Sequence, residues 1–166
     1  MVGAGRKQAM RIRFTKHRDD KASLTCIRDN GRVTGMPSTS FFIEHDLAHY
    51  AIETTLGYDQ AFYGLLANGW NIEDFGKPDQ LGQKPAIPIQ AGYAEALAGI
   101  MQLALQDALS EEGLADAVAQ IPVPAGAEAP QLSAQQFRTI RTRLELLLEE
   151  WQDLPPGATL EVPFPV

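Results

Sequence analysis

Apolar and polar residues alternate from Met10 to Thr15, with Met10, Ile12 and Phe14 on one side and Arg11, Arg13 and Thr15 on the other. A period of two marks a half-buried strand. His17 to Lys21 is a polar turn, and Ser23 to Arg28 reads as a second strand with Leu24 and Cys26 on one side. Asp29-Asn30-Gly31 is a tight-turn signal leading into Arg32-Val33-Thr34, so the three strands form an antiparallel meander with one apolar face to cover. Met36-Pro37 is expected to end the third strand. Ser38, Thr39 and Ser40 then supply hydroxyls suited to capping a helix that starts near Phe41 and stops before Gly57.

On that helix Phe41, Phe42, Ile52 and Leu56 lie near His45 and His49, while Ile43, Leu47, Tyr50 and Ala51 fill much of the other side. A helix apolar nearly all round is expected to be buried. Asp59 is placed to cap a short helix through Phe62, Leu65 and Leu66 that stops at Asn68-Gly69, with one further turn over Asn71 to Gly76. Lys77 to Pro88 is a loop punctuated by proline and glycine, long enough to suggest a lid or a binding segment. Ile89 to Leu109 reads as a long helix in which Gly92 and Gly99 would let a neighbour approach closely. Ser110 to Gly113 breaks it, and Leu114 to Gln120 forms a short continuation. Ser133 and Gln136 make a capping box for a helix through Trp151, with Phe137, Ile140, Leu144, Leu147 and Leu148 on its apolar face. After Leu154-Pro155-Pro156-Gly157, the alternation of Leu160, Val162 and Phe164 marks a last strand. Its return to the meander gives an α+β fold: a small antiparallel sheet of four strands covered on one face by several α-helices.

Composition narrows the class without choosing a function. With 166 residues, 45% apolar and 21% charged, the chain fits one globular domain over residues 1–166, with Met1 to Gln8 expected to fray. Cys26 is the single cysteine, which rules out an intrachain disulfide and points to a reducing, cytoplasmic setting. The basic, glycine-rich start has no apolar core or cleavage site of a signal peptide, and no apolar run reaches membrane-spanning length. Net charge is −7, yet nine of the fourteen lysines and arginines fall within residues 1–32. Those strands lack stacking aromatics beside their arginines, which argues against nucleic acid and for a solvated sheet face.

The candidate chemistry is in His45-Asp46-Leu47-Ala48-His49. Histidines four residues apart share one face of a helix one turn apart and can both reach a single metal ion. Glu95 is the only acid between Pro85 and Gln106, in a helix otherwise composed for burial, and is the expected third ligand. Glu53 shares the stripe but lies two turns, about 12 Å, from His45, so it suits a supporting role, accepting the other ring proton of His49. Glu73, Asp74 and His17 are lesser candidates on loops. Cys26 reads as a buried structural thiol, and the aromatics Phe41, Phe42, Tyr50, Phe62, Tyr63 and Trp70 as core.

The string HDLAH resembles the HExxH motif of zinc hydrolases, with Asp46 one methylene shorter than the usual glutamate. That likeness implies His45 and His49 as zinc ligands and Asp46 as general base on the metal-bound water. It also resembles the HDxxH motif of a zinc-motif family of coenzyme Q biosynthesis, although the further glutamate of that family is not met at its usual spacing. More broadly, His45 to Gly69 and Trp151 to Gly157 look like an uncharacterised family of small bacterial proteins sharing HDLxH, a following glutamate and a tryptophan before LPPG. That family brings no known activity.

The expectation is a divalent-metal protein, zinc above others, acting as a metal-assisted hydrolase on a small-molecule or peptide substrate. The alternative is a non-catalytic interaction or regulatory domain with structural histidines, in which Glu53 or Glu95 pairs with Arg138 or Arg141. Apolar helix surface and uneven charge also suggest a homodimer.

Overall fold

A computed structural model describes residues 9–165, so the expected fraying of Met1 to Gln8 lies outside the described residues. Strands β1 (Met10–Lys16), β2 (Lys21–Arg28) and β3 (Val33–Thr39) form the meander, and β4 (Thr159–Phe164) pairs antiparallel with β1. The sheet order is β3-β2-β1-β4. Phe14 faces Leu24 on one side and Leu160 on the other, and Ile12 likewise faces Cys26 and Val162. These side chains are all buried, so the alternation in the sequence translates into one apolar face. The β1–β2 turn puts both Asp19 and Asp20 in the left-handed region, a conformation that aspartate tolerates and that matches the twist of a hairpin.

The helices are α1 (Ser40–Leu56), α2 (Phe62–Ala67), α3 (Ile89–Leu105), α4 (Leu114–Ala119) and α5 (Ala134–Asp153). They make the other layer of the α+β fold. α1 packs on β2 and β3 and is flanked by α3 and α5, so it lies in the middle of the molecule. Its buried stretch runs from Leu47 to Glu53 and holds Leu47, Ala51 and Ile52 out of solvent altogether. On α5, Ser133 and Gln136 form the expected capping box, and Phe137, Ile140, Leu144, Leu147 and Trp151 are buried. Among the described residues no helix is long and apolar enough to cross a membrane. On the outer sheet face Arg11 and Arg13 pair with Glu161 of β4, as befits a solvated face.

Several local expectations are corrected. β3 continues through Met36 and Pro37 to Thr39 because it is an edge strand, where a proline costs no ladder hydrogen bond on its outer side. Of the three hydroxyl residues expected to cap α1, Thr39 fills the role, its Oγ1 accepting from Phe42 N. The first turn of α1 is not covered: Phe41 and Phe42 are 69% and 57% exposed, so they are not core. α3 stops at Leu105, four residues early, where the chain turns through Asp107 at φ 55°. Gly92 and Gly99 touch no close neighbour, since a Cβ at either would meet nothing within 4 Å. Close approach does require glycine at Gly64, where a Cβ would fall 2.3 Å from the Asp59 backbone, and at Gly35, where it would fall 2.9 Å from Leu24 O.

Candidate metal centre

α1 places His45 half-buried and His49 buried, and α3 brings Glu95 against both across 46 residues of chain. The Nε2 atoms of the two histidines stand 3.1 Å apart. Glu95 Oε2 lies 2.8 Å from His49 Nε2, and Glu95 Oε1 lies 3.2 Å from His45 Nε2. One ligand atom from each residue lies within 4.8 Å of the others, a set able to hold a metal ion. Ligand atoms around a tetrahedral zinc with bonds near 2.0–2.1 Å are about 3.3 Å apart, so these spacings are close to those of a coordination shell.

Glu95 belongs to the cluster for a different reason from the one its helix suggested. Its side chain is 64% exposed, so burial is not the main reason it finds a partner. It projects from α3 over the α1 surface, and the hydrogen bond from His49, together with the charges of both histidines, outweighs its partial burial and holds its carboxyl down at about 2.

Glu53 lies deeper and has a role the sequence did not disclose. Its Oε2 accepts hydrogen bonds from Tyr63 N at 2.9 Å and Gly64 N at 3.2 Å, the free amides at the start of α2. Asp59 was the expected cap and does not fill that role; Ala61 occupies the cap position with no side-chain bond. Glu53 Oε1 faces His49 Nδ1 at 3.7 Å, beyond hydrogen-bond distance. These two are the buried side-chain nitrogen and oxygen atoms left without a partner among the described residues. Burial alone would lower the His49 pKa, but Glu53 and Glu95 on either side of the ring reverse that and raise it to about 9. Burial raises Glu53 itself, against the pull of His49 and the two amides.

Asp46, next to His45 in the chain, lines the same cavity as the cluster. Burial pushes its carboxyl up to about 7, with His49 pulling down and Glu95 pushing further up. Tyr63 fixes the α1 backbone here by donating its hydroxyl to Asp46 O at 3.0 Å. The cavity, of about 420 Å³, is lined by the polar side chains of His45, Asp46, His49 and Glu95 and by the apolar ones of Phe62, Phe75 and Ile87.

The lesser candidates are elsewhere. Glu73 pairs with Lys77, Asp74 caps the turn at Asn71, and His17 bonds Ser23 beside the β1–β2 turn. Cys26 is buried on the sheet, its thiol pushed up to about 12 chiefly by burial, which fits an inert structural thiol. Arg138 and Arg141 pair with Glu111, Asp107 and Glu145, so they do not form the structural network with Glu53 or Glu95.

Sequence reasoning missed a second buried charge near the cluster's supporting residues. Arg28, counted with the basic surface, is buried and donates through Nε to Leu66 O at 2.6 Å and through Nη2 to Trp70 O and Asn71 Oδ1. Its signal was parity, because Arg28 shares the inward phase of Leu24 and Cys26 along β2. No family model matches this chain, and no curated protein or solved structure matches it either, so the geometry alone carries the functional reading.

Proposed function

We propose that the chain is a metal-assisted hydrolase in which His45, His49 and Glu95 hold a divalent ion, zinc by its donor set of two imidazoles and one carboxylate. The observation that carries this reading is the convergence of both Nε2 atoms and the Glu95 carboxylate at coordination spacing beside a cavity. Three protein ligands are the number found in catalytic zinc sites, where the remaining position is left for water or substrate; structural sites use four. The orphaned pair supports the same reading. An ion on His49 Nε2 requires the ring proton on Nδ1, aimed at Glu53 Oε1, so a modest closure of 3.7 Å would satisfy both buried atoms.

A divalent ion held there supplies Lewis acidity, lowering the pKa of water and polarising a carbonyl. Asp46 lines the cavity beside His45 and is the group placed to accept a proton from attacking water. In the hydrolysis the water oxygen bonds to the acyl carbon, the bond to the alcohol or amine breaks, and the leaving group takes up the proton from Asp46. Glu53 orients His49 from behind.

The test is elemental analysis and zinc calorimetry of protein purified without added metal, beside a His45→Ala, His49→Ala double variant and Asp46→Asn. About one equivalent of metal in the wild type, lost in the double variant with the fold intact, is expected. Asp46→Asn should keep the metal and lose ester hydrolysis by at least about 100-fold. Absence of metal from the wild type, with no shift of melting temperature on adding zinc, would leave the histidines as a structural hydrogen-bonded cluster.

A further inference from the structure

The cavity beside the histidines has a second wall whose chemistry narrows what it takes. Phe62 and Phe75 pack on each other with ring centroids 5.0 Å apart, and Ile87 and Ala91 continue that wall. Apart from the two histidines and the two carboxylates, none of the cavity's lining side chains among the described residues carries a polar group, so a sugar or a string of peptide groups laid along Phe62, Phe75 and Ile87 would find no side-chain partner there. Burying such polar groups unpaired would cost more than the contact returns.

Gly92 completes the wall. It lies on α3 three residues before Glu95 and so on the same helix face, lining the cavity. Neither a positive φ nor a close neighbour demands glycine at this position, unlike Gly64. Glycine inside a helix destabilises it relative to alanine by about 1 kcal/mol, and what its missing side chain leaves here is space in the cavity.

We propose that this cavity binds neutral acyl derivatives with a compact apolar body, esters or amides of small aromatic or branched acids. The carbonyl end lies at His45, His49 and Glu95, the apolar body lies against Phe62, Phe75 and Ile87, and Gly92 sets the size admitted. The position of the carbonyl end rests on the metal reading above; the apolar wall and the gating by Gly92 do not.

The experiment compares wild type, Gly92→Phe and Gly99→Ala, the last two turns further along the same helix face and outside the cavity. Zinc calorimetry comes first and tests the metal reading alone. On zinc-loaded protein, benzohydroxamate is expected to bind at least tenfold more tightly than acetohydroxamate. Gly92→Phe should bring the two to within about twofold with zinc affinity unchanged, and Gly99→Ala should keep the preference. Equal binding of the two hydroxamates by wild type, or a preference that survives Gly92→Phe, overturns the proposal.

If zinc does not bind, the same question is put to the metal-free protein with benzamide. Amide chemical shifts are expected to move at Phe62, Phe75 and Ile87 in wild type and to stay put in Gly92→Phe. Benzamide shifts without zinc binding would sink the metal reading and keep the apolar site. No shifts at these residues would remove the apolar site too.

Discussion

The two ends of α2 each carry a buried charge, and they are built to opposite specifications. At its C-terminal end Arg28 spends its donors on Leu66 O, Trp70 O and Asn71, tying β2 to the turn that follows the helix. At its N-terminal end Glu53 gives one oxygen to the amides of Tyr63 and Gly64, while the other stands opposite His49 with its hydrogen bond unmade. Both charges suit the helix dipole, negative at the start and positive at the end. The difference lies in what is left over. A buried polar group bonded to the carbonyls and a side chain of one neighbouring turn holds the fold together, whereas one with spare capacity facing a histidine is arranged to respond to what that histidine binds.

Arg28→Ala should break the first end most severely. It exposes no charge but strands the carbonyl of Trp70, leaves Leu66 O with only its backbone donor Gly69 N, and opens a cavity, a loss of about 3 kcal/mol in urea denaturation. Zinc affinity, measured where the variant remains folded, should stay within about threefold of wild type. A large loss of affinity would show that the two ends are not separable.

Glu53→Gln sharpens the contrast from the other end. The amide oxygen still accepts from Tyr63 and Gly64, so stability should shift by less than about 1 kcal/mol. Zinc affinity should fall by about 10–100-fold, because His49 Nδ1 loses its charged partner. An unchanged affinity would make Glu53 a cap for α2 and nothing more.

The smallest effect is in pH. The groups facing His49 are Glu53, Glu95, His45 and Asp46. In the metal-free fold its pKa is about 9 against an ordinary 6.5, so the stabilisation is complete below pH 6.5 and is lost as pH rises through 9. With Glu95 mostly exposed and screened, the loss should stay under about 2 kcal/mol. Asp46, raised to about 7, adds a loss in the same direction at lower pH, which Asp46→Asn would remove. Zinc affinity should climb over the window in which the metal-free protein weakens, because the ion no longer displaces a proton. Melting temperature in chelator and calorimetric affinity, read from pH 6 to 9, should therefore slope in opposite directions.

These cases also show what a sequence discloses. The pairing of His45 with His49 is fixed by helical spacing, and the sheet by alternation, both of them local regularities. Glu95 could be picked out as the lone acid of its helix, yet the reason offered, burial, was not the operative one; the fold of α3 across α1 is what brings it to the histidines. Glu53 as a cap for α2 depends on where the intervening chain turns, at Asp59 to Gly64, and no spacing rule reports that. Arg28 was legible in principle, since its parity on β2 is inward, but the charge of an arginine outweighs parity until the carbonyls that receive it are visible. Phe41 and Phe42 fail in the opposite sense: their apolar character suggested core, and the position of the first helical turn beyond the sheet leaves them in solvent.

The sheet has a further property in its two outermost strands. Each carries a proline: Pro37 on β3, opposite Ser23, and Pro163 on β4, opposite Arg11. Pro163 has no N–H to offer, and its carbonyl already accepts from the Tyr50 hydroxyl at 2.7 Å. An incoming strand would meet a missing donor on either margin and, at β4, an acceptor already engaged. The four strands are thus protected at both borders from growing into a continuous ribbon with other chains.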